Sequence, residues 1–249
     1  MSGHSKWSTI KRKKGAADAK RGAIFTKLIK EITVAARMGG GDPAANFRLR
    51  RALDEARLSN MPADNLTRAI KKGTGELEGV SYEELLYEGV GPAGTLFLCE
   101  IMTDNRNRTA AELRKVFDKH GGVLGAAGSA AWAFDAKGLI TLPESAASEE
   151  QLFEIAVGAG AEDVVSNGEN WVITTPVEAL EAVREALTQA KIAVDSANLA
   201  KLPKTPKTLG GADAETAVDL VETLEEHDDV QKVYTDFELS EEALQNLGQ

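Results

Sequence analysis

Residues 137–199 read KGLITLPESAASEEQLFEIAVGAGAEDVVSNGENWVITTPVEALEAVREALTQAKIAVDSANL, and this stretch decides the fold. Short apolar runs at Leu139–Leu142, Asp163–Ser166, Trp171–Thr174 and near Val194–Leu199 have the length and bounding turn residues of strands. Between them, Glu149–Val157 and Val177–Ala190 carry apolar residues at helical spacing. The order is β-α-β-β-α-β, the split βαβ or ferredoxin-like pattern. Ser148-Glu149-Glu150-Gln151 and Thr175-Pro176-Val177-Glu178 both fit capping boxes, the second with proline at the first helical position.

Outward from this unit, Lys204-Thr205-Pro206-Lys207 reads as a boundary, followed by a helix over Ala214–Glu226 and a strand over Val230–Leu239. On the other side, Tyr82–Val90 and Thr95–Thr103 read as a hairpin closed by a Gly-Pro turn. A capping box at Thr109-Ala110-Ala111-Glu112 then opens a helix that ends at Gly121-Gly122, and Ala130–Phe134 reads as a strand. This module lacks a closing helix and strand, and the C-terminal segment has one of each. The middle unit is therefore expected to interrupt its neighbour. The expected fold class is α+β: an N-terminal three-helix domain over 1–78, a discontinuous α/β domain over 79–135 plus 204–249, and an inserted βαββαβ domain over 136–203.

The N-terminal third is different in both period and charge. Phe25, Leu28, Ile29, Ile32 and Ala36 form one amphipathic stripe, ended by Gly39-Gly40-Gly41; Leu49, Ala52, Leu53 and Ala56 form a second. Pro62 restarts a third helix with Leu66, Ala69 and Ile70 inward, closed by Gly73. Residues 1–75 hold 17 Lys and Arg against 6 Asp and Glu, a net of +11, whereas the remainder holds 12 against 33. The formal total of -10 conceals two opposed fields. Concentrated positive charge on one domain suits a polyanion, since phosphate contacts dominate nucleic-acid affinity. The candidate phosphate-binding residues are Lys11, Arg12, Lys13, Lys14, Lys20, Arg21, Lys27, Lys30, Arg48, Arg51, Arg68, Lys71 and Lys72. No unambiguous recognition helix is visible, so the expectation is backbone binding. Before the first helix, Lys6–Arg21 reads as an arm that is either mobile or ordered only at its end by Trp7. A secondary anion site is a candidate at Asn105, Arg106, Asn107 and Arg108, just before a capped helix; the alternative is an Asx-type turn with outward arginines.

With 249 residues, 43% of them hydrophobic and 27% charged, the chain can bury a real core and is not of the disordered class. No apolar run approaches the roughly 20 residues of a spanning helix, and the charged start MSGHSKWSTIKRKK has no apolar stretch after it, so a cytoplasmic protein is expected. Cys99, the one cysteine, sits among Leu96, Phe97, Leu98 and Ile101, where a buried inert thiol is expected. His4, His120 and His227 are scattered and suggest no closed zinc site. Gly89-Val90-Gly91-Pro92-Ala93-Gly94 satisfies GxGxxG, but strand follows it where a helix N-terminus is needed, so a strand-joining turn is expected. Glu225-Glu226-His227-Asp228-Asp229 reads as a solvated acidic cluster. Neither cofactor nor catalytic residue is expected. The enzyme hypothesis held against this is a phosphate-ligand enzyme using Asn105, Arg106 and the Gly89–Gly94 turn.

The run of motifs GHSKW, KRKKGAADAKRG, GGGDPAANFRLR, NMPADNLTRAIKKG, YEGVGPAG, TDNRNRTAAELR and KHGG resembles the YebC/PmpR family over essentially the whole chain. The resemblance implies a cytoplasmic three-domain protein with a basic helical N-terminal domain, usually described as a probable transcriptional regulator that binds DNA. It also implies a second possibility, because mitochondrial relatives are translational activators and bacterial relatives have been linked to the ribosome. The expected partner is DNA first, then ribosomal or messenger RNA, with a protein partner at the acidic modules as a further candidate.

Overall fold

The structure is a computed structural model, and it describes residues 17–247, with side chains over 22–246. These residues divide into two compact units: 17–129 with Glu215–Val233, and Ala130–Ala214 with 234–247.

In the first unit, α1 (Ala17–Gly39), α2 (Phe47–Leu58) and α3 (Ala63–Thr74) form the expected bundle. Leu28, Ile32 and Ala36 of α1 pack with Leu49, Leu53 and Ala56 of α2 and with Leu66 and Ala69 of α3. Buried Asn46 joins two of the helices: its Oδ1 accepts the Leu49 N–H at the start of α2, and its Nδ2 donates to the carbonyls of Ala35 and Gly40 at 2.7 and 2.8 Å. Gly73 does not close α3. The helix runs on to Thr74, and Gly75 ends it in the left-handed region at φ 82°. Gly73 is instead where α3 touches α1, since a Cβ there would lie 2.4 Å from the Thr33 carbonyl oxygen and 2.7 Å from Ala36 Cβ.

β1 (Glu83–Val90) and β2 (Leu96–Thr103) form the hairpin, joined through a short 3₁₀ turn at Pro92–Gly94. The GxGxxG run is thus a strand-joining turn, and Gly91 is needed because a Cβ would meet the Phe97 ring at 2.4 Å. α4 (Arg106–Lys119) starts four residues earlier than the capping box suggests. Asn105 is the cap, its side chain accepting the Arg108 N–H, and Thr109 lies buried in the first turn. β3 (Val123–Leu124) follows. The segment Ala130–Phe134 is not a strand: Ala131–Ala133 is a 3₁₀ turn, and the strand begins at Phe134.

After α7 (Gly211–Glu226), β9 (Val230–Thr235) takes the edge beside β2, giving the order β3-β1-β2-β9. The residues between β3 and α7 therefore interrupt this sheet in the chain. The spatial order is that of a ferredoxin-like sheet, but the strand that normally comes third in the chain, β1, comes first. Phe97 and Phe117 meet edge to face beneath it, ring centres 5.7 Å apart.

The second unit contains β4 (Phe134–Pro143), α5 (Glu149–Gly158), β5 (Asp163–Ser166), β6 (Asn170–Thr175), α6 (Leu180–Gln189) and β7 (Ser196–Pro203). The antiparallel order β5-β6-β4-β7 is the ferredoxin-like arrangement expected of the β-α-β-β-α-β reading. Ile140, Leu142, Leu152, Ile173, Val183 and Leu187 fill its core. Ser148 caps α5 as expected, accepting the Gln151 N–H. Thr175 does not cap the next helix: its hydroxyl donates to the Pro176 carbonyl, and a 3₁₀ turn at Val177–Ala179 precedes α6. The strand expected over 230–239 breaks at Asp236. β10 (Phe237–Leu239) runs parallel to β8 (Lys207–Leu209), and α8 (Glu241–Leu247) follows.

Candidate nucleic-acid interface

The basic residues of the N-terminal bundle separate into two populations. Arg68, Lys71 and Lys72 stand exposed on α3 at i, i+3 and i+4, so the three cations share one face of that helix. The core side of the same helix is set by Leu66 and Ala69, which fixes where that charged face points. On α2, Arg50 and Arg51 lie over the Phe47 ring at 5.3 and 5.9 Å from its centre, so the exposed aromatic orders two guanidinium groups.

Other candidates are held internally. Arg48 is gripped by two carboxylates, its Nε and Nη2 donating to Glu31 at 2.7 and 2.9 Å and its Nη2 and Nη1 to Glu84 at 2.6 and 3.1 Å. Hydrogen bonds to Glu31, then to Glu84, push its pKa above the ordinary arginine range. Lys27 Nζ donates to the Glu225 carbonyl at 2.5 Å. Lys30 is buried, donating to Asp229 Oδ1 at 2.5 Å and to the Asp228 and Met102 carbonyls at 2.9 and 3.3 Å. Lys11, Arg12, Lys13 and Lys14 lie outside the described residues, as do Trp7 and the side chains of Lys20 and Arg21.

Lys30 belongs to a polar network that sequence reading missed. Its centre is Asp229, only 4% exposed. Besides Lys30, Asp229 accepts from Thr109 Oγ1 at 2.6 Å, Thr103 Oγ1 at 3.1 Å and Arg108 Nη2 at 3.1 Å. Burial pushes this carboxyl up, but the hydrogen bonds from Lys30, Thr109 and Arg108 outweigh it and hold it well below the ordinary carboxylate range. The network joins α1, β2, α4 and the start of β9.

The proposed secondary anion site is built largely into the same network. Arg108 bridges Asp104 and Asp229, and the Asn105 side chain is the helix cap; Arg106 and Asn107 remain exposed. Hydrogen bonds to Asp229 and Asp104 raise the Arg108 pKa.

A cleft of about 650 Å³ opens over the network, with Thr26, Lys30, Tyr82, Arg108, Glu112 and His227 on its walls. Glu112, His227 and Asp229 bring three donor atoms within 4.8 Å of one another. His227 Nδ1 accepts the Asp229 N–H at 3.1 Å, which leaves Nε2 as the protonated nitrogen of a neutral ring, facing Glu112 at 3.0 Å. A divalent ion at Nε2 would require that proton on Nδ1, where a backbone N–H already points. With Lys30 and Arg108 also occupying Asp229, the donor set suits an internal ionic clasp better than a metal. Cys99 is buried, which pushes its thiol up to about 12 and makes it a poor nucleophile. Among the described residues, no helix is long and apolar enough to cross a membrane.

The model of the TACO1/YebC protein N-terminal domain matches residues 5–76, and that of the TACO1/YebC second and third domain matches residues 82–237. A probable transcriptional regulatory protein of Desulfatibacillum aliphaticivorans is 56% identical over 244 residues, 98% of this chain and 99% of that one. One of the same description from Geobacter sulfurreducens is 56% identical over 247 residues, covering 99% and 100%. Among solved structures, a conserved hypothetical protein of Aquifex aeolicus superposes with a TM-score of 0.82 at 46% identity, over 90% of this chain and 93% of that one. Matched over residues 5–76 and 82–237 by the two domain models and over 98–99% of its length by relatives 56% identical to it, the chain belongs to the YebC/PmpR family, the TACO1/YebC proteins.

Proposed function

We propose that the protein is a non-enzymatic regulator that binds nucleic acid, DNA in the first instance, through the phosphate backbone. The observation that carries this reading is the charge partition: +11 on residues 1–75, with Arg68, Lys71 and Lys72 exposed along one helix face, against an acidic remainder. Neutralising phosphates releases condensed counterions, and the net acidic charge of residues 76–249 opposes phosphate contact, so duplex backbone contact is assigned to residues 1–75. The buried ion pair of Lys30, the two carboxylates on Arg48 and the Lys27 hydrogen bond narrow the contact set to Lys20, Arg21, Arg51, Arg68, Lys71, Lys72 and the basic residues before α1. The names of the relatives, probable transcriptional regulatory proteins, support the regulatory part of the reading. The three-domain division at about residues 78, 136 and 203 is part of the proposal, as is action in the cytoplasm.

The same cations answer equally to RNA, so the competing reading is a translation factor on ribosomal or messenger RNA. Ultraviolet crosslinking in cells, followed by identification of the bound nucleic acid, separates them. Chromosomal DNA is the expected recovery; mainly ribosomal RNA would overturn the first choice.

A further inference from the structure

Residues 76–249 contain 12 basic side chains, and three of them, Lys201, Lys204 and Lys207, fall within the 14 residues 196–209, which hold no acidic residue at all. This is a local reversal of sign in an acidic body. Beside it stands Trp132, 66% exposed at the tip of the Ala131–Ala133 turn. Tryptophan is seldom left this open. The contrast within the same unit is direct: Trp171 is buried, and its Nε1 lies 3.2 Å from both the Glu144 and Ala147 carbonyls.

The strand register brings Lys204 to the Trp132 backbone, with Lys201 and Lys207 three residues to either side along the chain. β4 pairs with β7 so that Phe134 faces Pro203 and Ala136 faces Lys201, which places Trp132 where β7 runs out into Lys204. Lys204 is fixed there twice: its N–H donates to the Ala133 carbonyl at 2.8 Å, and its Nζ donates to the Trp132 carbonyl at 2.9 Å. Its ammonium is thus held one hydrogen bond from the backbone of the exposed indole, with Asp135 at 3.5 Å as a partly exposed counter-charge. Lys201 lies over the Tyr234 ring at 5.8 Å, and Lys207 is exposed on β8.

An exposed aromatic with one ammonium fixed at its backbone and further lysines along the same acid-free segment suits an unpaired base, taken by stacking, with its adjoining phosphates taken by charge. We propose that Trp132, with Lys201, Lys204 and Lys207, forms a second nucleic-acid contact that takes an unpaired strand, distinct from the phosphate-binding helical bundle. The inference rests on the nucleic-acid reading above and adds a substrate class to it. Unpaired bases are offered by single-stranded DNA and by RNA alike, and stacking does not distinguish the sugar.

The test uses the full chain and three fluorescein-labelled probes at low salt: a 12-mer of deoxythymidine, a 12-mer of uridine, and a 12-base-pair duplex. Trp132→Ala is expected to weaken binding of the single strands about 5- to 150-fold while leaving the duplex within about twofold; Trp132→Phe, which keeps an aromatic face, recovers most of the loss. Lys201→Gln with Lys204→Gln should lower the steepness of the single-strand salt dependence by about 1.4. Loss on both oligomers assigns the site to unpaired bases generally, and loss on one names the strand. Unchanged binding of both oligomers by Trp132→Ala would overturn the inference. So would a wild-type chain that binds the duplex and neither oligomer, with the functional reading left standing; binding of none of the three probes would remove both.

Discussion

Asp229→Asn is the substitution that most directly exposes how the bundle is fastened to the sheet beside it. The side chain keeps its shape and loses its charge, so buried Lys30 is left without a counter-charge and with neutral partners: the Asp228 and Met102 carbonyls at 2.9 and 3.3 Å, the new amide oxygen and the Tyr82 ring at 5.6 Å. Removing one member of a buried pair costs about 3–5 kcal/mol. The two carbonyls and the exposed position of Arg108 place this case at the lower end, about 3 kcal/mol. Lys30→Met removes the other partner, but Thr103, Thr109 and Arg108 still donate to Asp229, so about 2 kcal/mol is expected. The double variant removes the desolvated charge pair as a unit and should cost well under the summed 5 kcal/mol, with a coupling of about 1–3 kcal/mol. Because the chain has two compact units, native-state hydrogen exchange at amides of α1 and β2 is a better measurement than one global melt. Additivity within about 0.5 kcal/mol would refute the claim that Lys30 and Asp229 act as one clasp.

The same carboxylate gives the expected pH dependence. Its folded pKa is depressed, so its contribution is fully present above the unfolded carboxylate value near 4 and is lost as pH falls toward the folded value. Acid titration followed at α1 amides should therefore show loosening that begins below about pH 4 in the wild type and is much reduced in Asp229→Asn. The glycines of the bundle should respond to alanine with opposite signs in thermal melts. Gly73→Ala would force a Cβ to 2.4 Å from the Thr33 carbonyl oxygen and is expected to cost about 1–3 kcal/mol, whereas Gly22→Ala meets open space in α1 and should gain up to about 1 kcal/mol.

Local periodicity made most of the elements legible. The stripes of Leu28, Ile32 and Ala36 and of Leu49, Leu53 and Ala56 are repeated patterns within one element, and the hairpin and the βαββαβ order follow from such patterns strung between short turns. What escaped depends on partners distant in sequence. Lys30 sits opposite the Leu28–Ile32 stripe and so reads as solvent-facing; α1 is in fact packed on two sides, and its second face carries Lys27, Lys30 and Arg37 into hydrogen bonds with Glu225, Asp229 and Tyr82. The off-stripe apolar residue Val34, also buried, was the available signal for that second contact. Thr109 matched a capping box by spacing, but Asn105 reaches the free N–H groups first and Thr109 turns inward to Asp229. Gly73 read as a stop because glycine usually is one, whereas its reason here is the approach of a neighbouring helix.

The most direct test of the central claim is the salt dependence of duplex DNA binding by the full chain. Engagement of roughly 5 to 8 phosphates gives a log-log slope of about -4 to -7, and joint replacement of Arg68, Lys71 and Lys72 by alanine should make it shallower by about 2 to 3 on any sequence. A wild-type slope near zero, or a triple variant indistinguishable from wild type, would contradict it.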